Sequence, residues 1–261
     1  MDDRPVYLER RGETAIMVLN RPAKLNALNA EIWGAIPGLA AEVAEDPALK
    51  VLIVRGVNQD AFASGADIAE FPKVHATPDT ARDYHTQIHA AYDSIALMEK
   101  PTIALVQGYC FGGGCALALC CDMRYADKTA KFSIPPARLG IAYSLKETKR
   151  LADLVGPSKA KEMLFAARVI EAEEALMVGL ATRLFEPAEV EADTFAFAEH
   201  LASLSQFSIR AIKKTVGAIT AGAQQADAEL QALIMGGFEG ADYREGRDAF
   251  LEKRKPNFTY R

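Results

Sequence analysis

The chain has 261 residues, half of them hydrophobic, enough for one large domain or a core with an appendage. Its formal net charge of −5 argues against a broad basic surface for nucleic acid, and no apolar run is long enough to span a bilayer. The charged start Met1-Asp2-Asp3-Arg4 lacks the apolar stretch of a secretory signal. The cysteines, Cys110, Cys115, Cys120 and Cys121, form no Cys-x-x-Cys pair and read as buried free thiols in a reducing, cytoplasmic compartment.

In chain order, Val6 to Arg10 and Thr14 to Leu19 flank Arg11-Gly12-Glu13 as a hairpin. Asn29 is an N-cap for a helix from Ala30 to about Glu45, with Pro37 and Gly38 as candidate breaks. Val51 to Val54 reads as a buried strand, Asn58 to Gly65 as a polar loop, Ile68 to Phe71 as a short helical turn and Asp79 to Glu99 as a long helix after Pro78. His85 and His89 on that helix have a metal-like spacing. With no third ligand and no glutamate between them, they read as two histidines on a helix face.

Thr102 to Val106 is β-branched, apolar and bounded by Pro101 and Gly108, as in a buried strand, and Cys115 to Cys121 reads as a buried helix. Gly112, Gly113 and Gly114 lie between them. A strand turning through glycines into a helix presents bare N–H groups at a positive helix end, where another molecule can approach closely, so this is a place to hold an anionic oxygen. The spacing is not the G-x-G-x-x-G of a dinucleotide site, and no Gly-Lys-Ser/Thr follows for a P-loop. Short strands follow at Met123 to Ala126, Lys131 to Ser133 and Arg183 to Phe185. Helices fall at Leu145 to Val155, Lys159 to Phe165 and Ala172 to Val178, and everything from Pro187 on is helical. Strands alternating with helices imply an α/β fold with mostly parallel pairing. The division is a core over residues 1–185 and a helical region over 186–261.

Four stretches carry a resemblance: Asn20-Arg21-Pro22-Ala23-Lys24-Leu25-Asn26-Ala27-Leu28-Asn29, Ala61 to Ile68, Gln107 to Gly114 with Asp122 behind, and Glu245 to Pro256. Together, and over essentially the whole chain, they resemble the enoyl-CoA hydratase/isomerase family, the crotonase superfamily. The resemblance implies a spiral of ββα units with two nearly perpendicular sheets. It also implies C-terminal helices that assemble trimers or hexamers, and an acyl-CoA thioester as substrate. Coenzyme A is then part of the substrate, and no separate cofactor or metal is implied. Backbone N–H groups matching Ala66 and Gly113 would form an oxyanion hole for the thioester oxygen. Lys24, Leu25, Ala66, Asp67, Ile68 and Gly112 match segments that contact the coenzyme A moiety or flank the thioester. Phe238 matches an aromatic supplied by the helical tail in some relatives.

The sequence departs from the hydratases at their two glutamates, which match Ala116 and Pro136 here, and neither of these carries a proton. The segment Leu139 to Thr148 then holds the remaining candidates. Glu147 aligns with the nucleophilic aspartate of a dehalogenase-like branch and is the expected acid/base. Tyr143 aligns with a tyrosine of a methylmalonyl-CoA decarboxylase-like branch and is expected to orient the acyl group. Decarboxylation of a short malonyl-type thioester, which needs no base, is an alternative, and a degenerate CoA-binding or scaffold protein is the non-enzyme alternative.

Overall fold

The computed structural model describes residues 3–260. The chain opens with the expected hairpin, β1 (Val6–Arg11) and β2 (Thr14–Leu19), paired antiparallel. Helix α1 (Ala30–Glu45) starts where Asn29 accepts a hydrogen bond from the Ile32 N–H at 3.0 Å. It runs unbroken through Pro37 and Gly38. Its buried stripe of Ile32, Trp33, Ile36, Ala40 and Val43 holds it to the core more firmly than one missing backbone bond loosens it.

From there the chain repeats one device. A long strand enters one sheet and a short strand enters another. Strands β3 (Val51–Gly56) and β4 (Ala61–Ala63) are the first such pair. Next come β5 (Thr102–Val106) and β6 (Tyr109–Phe111), followed by α4 (Gly112–Cys120), then β7 (Met123–Asp127) and β8 (Lys131–Ser133). With β9 (Ile170–Glu171) and β10 (Arg183–Phe185), the sheets run β1-β2-β3-β5-β7-β10 and β4-β6-β8-β9, and every pairing except β1–β2 and β8–β9 is parallel. This is the expected spiral. The three-residue strands β4 and β6 and the two-residue β9 are too short to carry a periodic signal and were not anticipated. Helix α4 also begins earlier than expected, so the three glycines form its first turn.

The larger sheet is buried on both faces. Leu52, Val54, Ala104 and Val106 point into the main core, while Ile53, Ile103 and Leu105 point the other way. That second face is covered by Phe195 and Ala198 of α8 (Val190–Ser203). The first helix beyond residue 185 therefore packs as part of the core. The remaining tail helices are α9 (Gln206–Thr220), α10 (Ala228–Gly236) and α11 (Ala241–Glu252). On α9, Ile212, Val216 and Ile219 stay exposed. No helix among the described residues is long and apolar enough to cross a membrane.

Four further helices lie between β4 and β9. They are α2 (Phe71–Val74), α3 (Pro78–Ala96), the short α5 (Pro136–Leu139) and α6 (Leu145–Ala166). The α6 span has a break at Gly156, φ 78° and ψ 158°, where two separate helices were expected. Its start is tied to α3 through Asp93, which accepts from Lys146 Nζ at 2.7 Å and from Arg150 Nη2 at 3.2 Å. Burial works to raise the Asp93 pKa, but the hydrogen bonds and charges of Lys146 and Arg150 outweigh it and hold the carboxyl below its ordinary 3.8. A carboxyl depressed on folding stabilises the fold fully above 3.8, and that contribution is lost as the pH falls through the lower folded value. Asp93→Asn is expected to lower the urea midpoint at pH 7 by an amount equivalent to ~1 kcal/mol, with the gap closing as the pH is taken below 3.8. Equal midpoints at pH 7 would show that the pair does not hold α6 to α3.

Candidate active site

The site is built where two loops meet backbone to backbone. In the first, Asn26 is fully buried in a left-handed conformation, accepting the Arg21 N–H at 3.0 Å and donating to the Ala61 carbonyl at 2.7 Å. Arg21 reaches on to the Ala27 carbonyl at 2.6 Å and to Asp67 at 2.9 Å. Leu28 pairs with the 65–67 segment, donating to the Gly65 carbonyl at 2.8 Å and accepting from the Asp67 N–H at 2.9 Å. Gly65 has φ +110°, and a Cβ there would stand 3.2 Å from the Phe111 carbonyl oxygen. A Cβ on Gly112 (φ +50°) would lie 3.7 Å from the Gly65 Cα. Glycine at both positions is what lets the two segments touch.

This contact places Ala66 and Gly113 on one cavity of about 420 Å³. Neither N–H donates to another group among the described residues. The ladder bonds of the 65–67 segment are made by its neighbours, and Gly113 lies in the first turn of α4, where helix N–H groups have no internal acceptor. The Gly113 peptide is braced from behind, since Tyr92 Oη donates to its carbonyl at 3.2 Å and packs edge-on against Trp33 with ring centroids 5.4 Å apart.

The opposite wall comes from the start of α6. Ser144 caps the helix in a reciprocal box, its Oγ accepting the Glu147 N–H at 3.3 Å while the Glu147 carboxylate accepts the Ser144 N–H at 3.0 Å. One Glu147 oxygen is engaged in this way, and the residue also lines the cavity, as does Tyr143. Burial, with the nearby Glu147 charge, holds the Tyr143 phenol far above its ordinary range, so it stays protonated and keeps a proton to donate. Of the two positions without glutamate, Pro136 lines the cavity and Ala116 is buried in the main core. The structure thus brings Ala66, Gly113, Tyr143 and Glu147 to one cavity.

The other expected contacts are distributed. Ile68 and Gly112 line the cavity. Lys24 and Leu25 lie next to it, their carbonyls accepting from the Ser64 hydroxyl at 3.2 Å and the Ser64 N–H at 2.9 Å. Asp67 is engaged internally. Its hydrogen bond from Arg21, set against partial burial, keeps its carboxyl below the usual range, and it caps the following helical turn through the Ala69 N–H at 3.2 Å. Phe238 lies in the tail, 5.7 Å from the Tyr243 ring, beside a separate groove.

The cysteines are all buried. Burial pushes the Cys120 thiol up to about 12 and the Cys110 and Cys121 thiols well above their ordinary value. No group of three or more His, Cys, Asp or Glu among the described residues could hold a metal ion. Sequence reasoning missed a polar group on the cavity wall made by Tyr84, His85 and His89 of α3 with His75 after α2. Two histidines four apart were visible, but the turn that brings His75 beside them was not.

Comparison with known proteins gives one consistent answer. A family profile described as enoyl-CoA hydratase/isomerase matches residues 9–261. The crotonyl-CoA hydratase of Syntrophomonas wolfei is 37% identical over 258 residues, 97% of each chain. The short-chain-enoyl-CoA hydratase of Clostridium acetobutylicum is 34% identical over 254 residues, 96% of this chain and 95% of its own. A solved structure from Hyphomonas neptunium, assigned to the same family, superposes with a TM-score of 0.96 at 40% identity, covering 99% of this chain and 98% of its own.

Proposed function

Since the chain belongs to the enoyl-CoA hydratase/isomerase family, we propose that its cavity binds an acyl-CoA thioester and stabilises its enolate with the Ala66 and Gly113 N–H groups. The observation that carries this reading is that two N–H groups without acceptors share one cavity with a carboxylate and a protonated phenol. Fixed donors aimed at developing charge in a water-poor cavity are worth ~3 kcal/mol each.

Glu147 is the proton carrier in this reading. For water addition to an enoyl thioester, its carboxylate takes a proton from water as the water oxygen bonds to the β-carbon. The electron pair moves to the thioester oxygen, and Glu147 then returns the proton to the α-carbon. Tyr143, protonated, donates a hydrogen bond that orients the acyl group. One carboxylate performs both transfers where the family's hydratases use two, because Ala116 and Pro136 leave no second. Water addition is the reaction named in the crotonyl-CoA and short-chain-enoyl-CoA hydratase relatives.

The exposed Ile212, Val216 and Ile219 of α9 support self-association through the tail, as a trimer or a multiple of one. Sedimentation equilibrium is expected to return such a mass at micromolar concentration, and a monomer would contradict it. Crotonyl-CoA hydration by the unmodified enzyme is expected to run slower than about ten turnovers per second. Glu147→Gln is expected to cut the rate ~10²–10⁴-fold with thioester affinity kept. In Gly113→Val the new Cβ would lie 3.2 Å from Trp33 Cζ2 and 3.4 Å from Tyr92 Oη. That variant is expected to lose both turnover and thioester affinity. Full turnover in Glu147→Gln would remove the carboxylate from its role, and full turnover in Gly113→Val would remove the oxyanion hole.

A further inference from the structure

Part of the cavity wall is polar in a way that a hydrocarbon acyl chain does not use. The His75 and His85 rings stack nearly parallel, 9° apart with centroids separated by 5.7 Å, and the His89 ring lies 6.5 Å from His85. Tyr84 stands edge-on to His75 at 5.6 Å. Tyr84 Oη and Trp33 Nε1, in residues that are 4% and 0% exposed, are buried on this wall close to one another, with the indole N–H toward the phenol oxygen, and the phenol proton has no acceptor among the described residues. A buried phenol proton without an acceptor costs stability, and it points to a partner that the chain itself does not supply.

The chemistry of these atoms narrows that partner. Indole N–H can only donate. Burial, opposed by the Trp33 N–H and helped by the Glu70 and Asp67 charges, pushes the Tyr84 phenol up to about 12, so it stays protonated and keeps a proton to donate. Each imidazole carries an N–H in either charge state. Burial, then the neighbouring His75 and His89, lower the His85 pKa, with Glu147 acting the opposite way. An anion beside these rings would relieve the crowding that disfavours their charge. Among the described residues Glu147, on α6, is the one carboxylate lining the cavity, against three imidazoles, while Asp67 and Glu70 lie near enough to act on Tyr84 from behind the wall.

We propose that this wall, formed by Trp33, Tyr84, His75, His85 and His89, recognises a carboxylate at the far end of the acyl group. The substrate class is then the coenzyme A half-thioester of a dicarboxylic acid, an inference that rests on the thioester reading above. Trp33 links the two ends of the cavity. Its Cζ2 edge lies against Gly113, and its Nε1, on the same ring edge, lies toward Tyr84. A thioester oxygen held by Ala66 and Gly113 therefore leaves the acyl chain running past Trp33 toward Tyr84 and the histidines.

The test is isothermal titration of the full chain with free coenzyme A, butyryl-CoA, succinyl-CoA and glutaryl-CoA. None of these has the double bond needed for water addition, so binding is read alone. At least one of the two dicarboxylic thioesters is expected to bind about tenfold tighter than butyryl-CoA. That ratio is expected to fall toward one in Tyr84→Phe and in His85→Leu, the second of which changes an exposed side chain. If butyryl-CoA binds as tightly as both dicarboxylic thioesters and all three exceed free coenzyme A, this inference fails while the thioester reading stands. If no thioester exceeds free coenzyme A, both fail. A preference that persists undiminished in both variants would take recognition away from this wall.

Discussion

The close approach of Gly65 to Gly112 is the constraint on which the rest of the site depends. A side chain at Gly65 would press on the Phe111 carbonyl and force a backbone with φ +110° that other residues rarely adopt. With glycine at both places, the end of the 61–65 segment lies directly against the start of α4, and Ala66 and Gly113 come to one cavity. Everything around this contact serves to hold it. Asn26 and Arg21 pin the preceding loop, Leu28 pairs with the 65–67 segment, and Tyr92 braces the Gly113 peptide through its carbonyl. Glu70 accepts the Ala30 N–H at 2.7 Å, so the segment that carries Ala66 also helps cap α1.

Rigid N–H groups suit catalysis because they need no reorganisation when charge develops, whereas water would have to turn. The carboxylate we propose for proton transfer, Glu147, stands on a different element, the first turn of α6, which is fastened to α3 through Asp93. The cavity is complete with alanine at 116 and proline at 136. Pro136 still shapes the wall, and the Ala116 position is absorbed into the packed helix interior.

Much of the fold was legible in the sequence because its signals are local. The runs at Val51 to Val54 and Thr102 to Val106 could only be buried strands, and Asn29 marked the start of α1. The short strands β4, β6 and β9 could not be read, since two or three residues show no period and pair only because the spiral brings them together. Pro37 misled as a candidate break because tertiary packing of Trp33, Ile36 and Ala40 overrides its local cost. At the site, the glycines and the Ala61 to Ile68 stretch pointed to the donor pair. The histidine wall was hidden for a geometric reason. His75 is ten residues from His85 in sequence, and the reciprocal Thr77 and Thr80 cap that starts α3 turns the chain back so that the two rings stack.

The most direct measurement of the central claim is the carbonyl stretching frequency of a bound thioester, read by isotope-edited infrared difference spectroscopy with a ¹³C label at the thioester carbon. Two fixed N–H donors at Ala66 and Gly113, as proposed, would polarise the carbonyl more strongly than water does. The account therefore predicts a band at lower frequency in the complex than in free solution, with the shift lost when a side chain is introduced at Gly113. A bound thioester whose carbonyl absorbs at its solution frequency, or whose shift survives that substitution, would contradict the placement of the reacting carbonyl between these two groups.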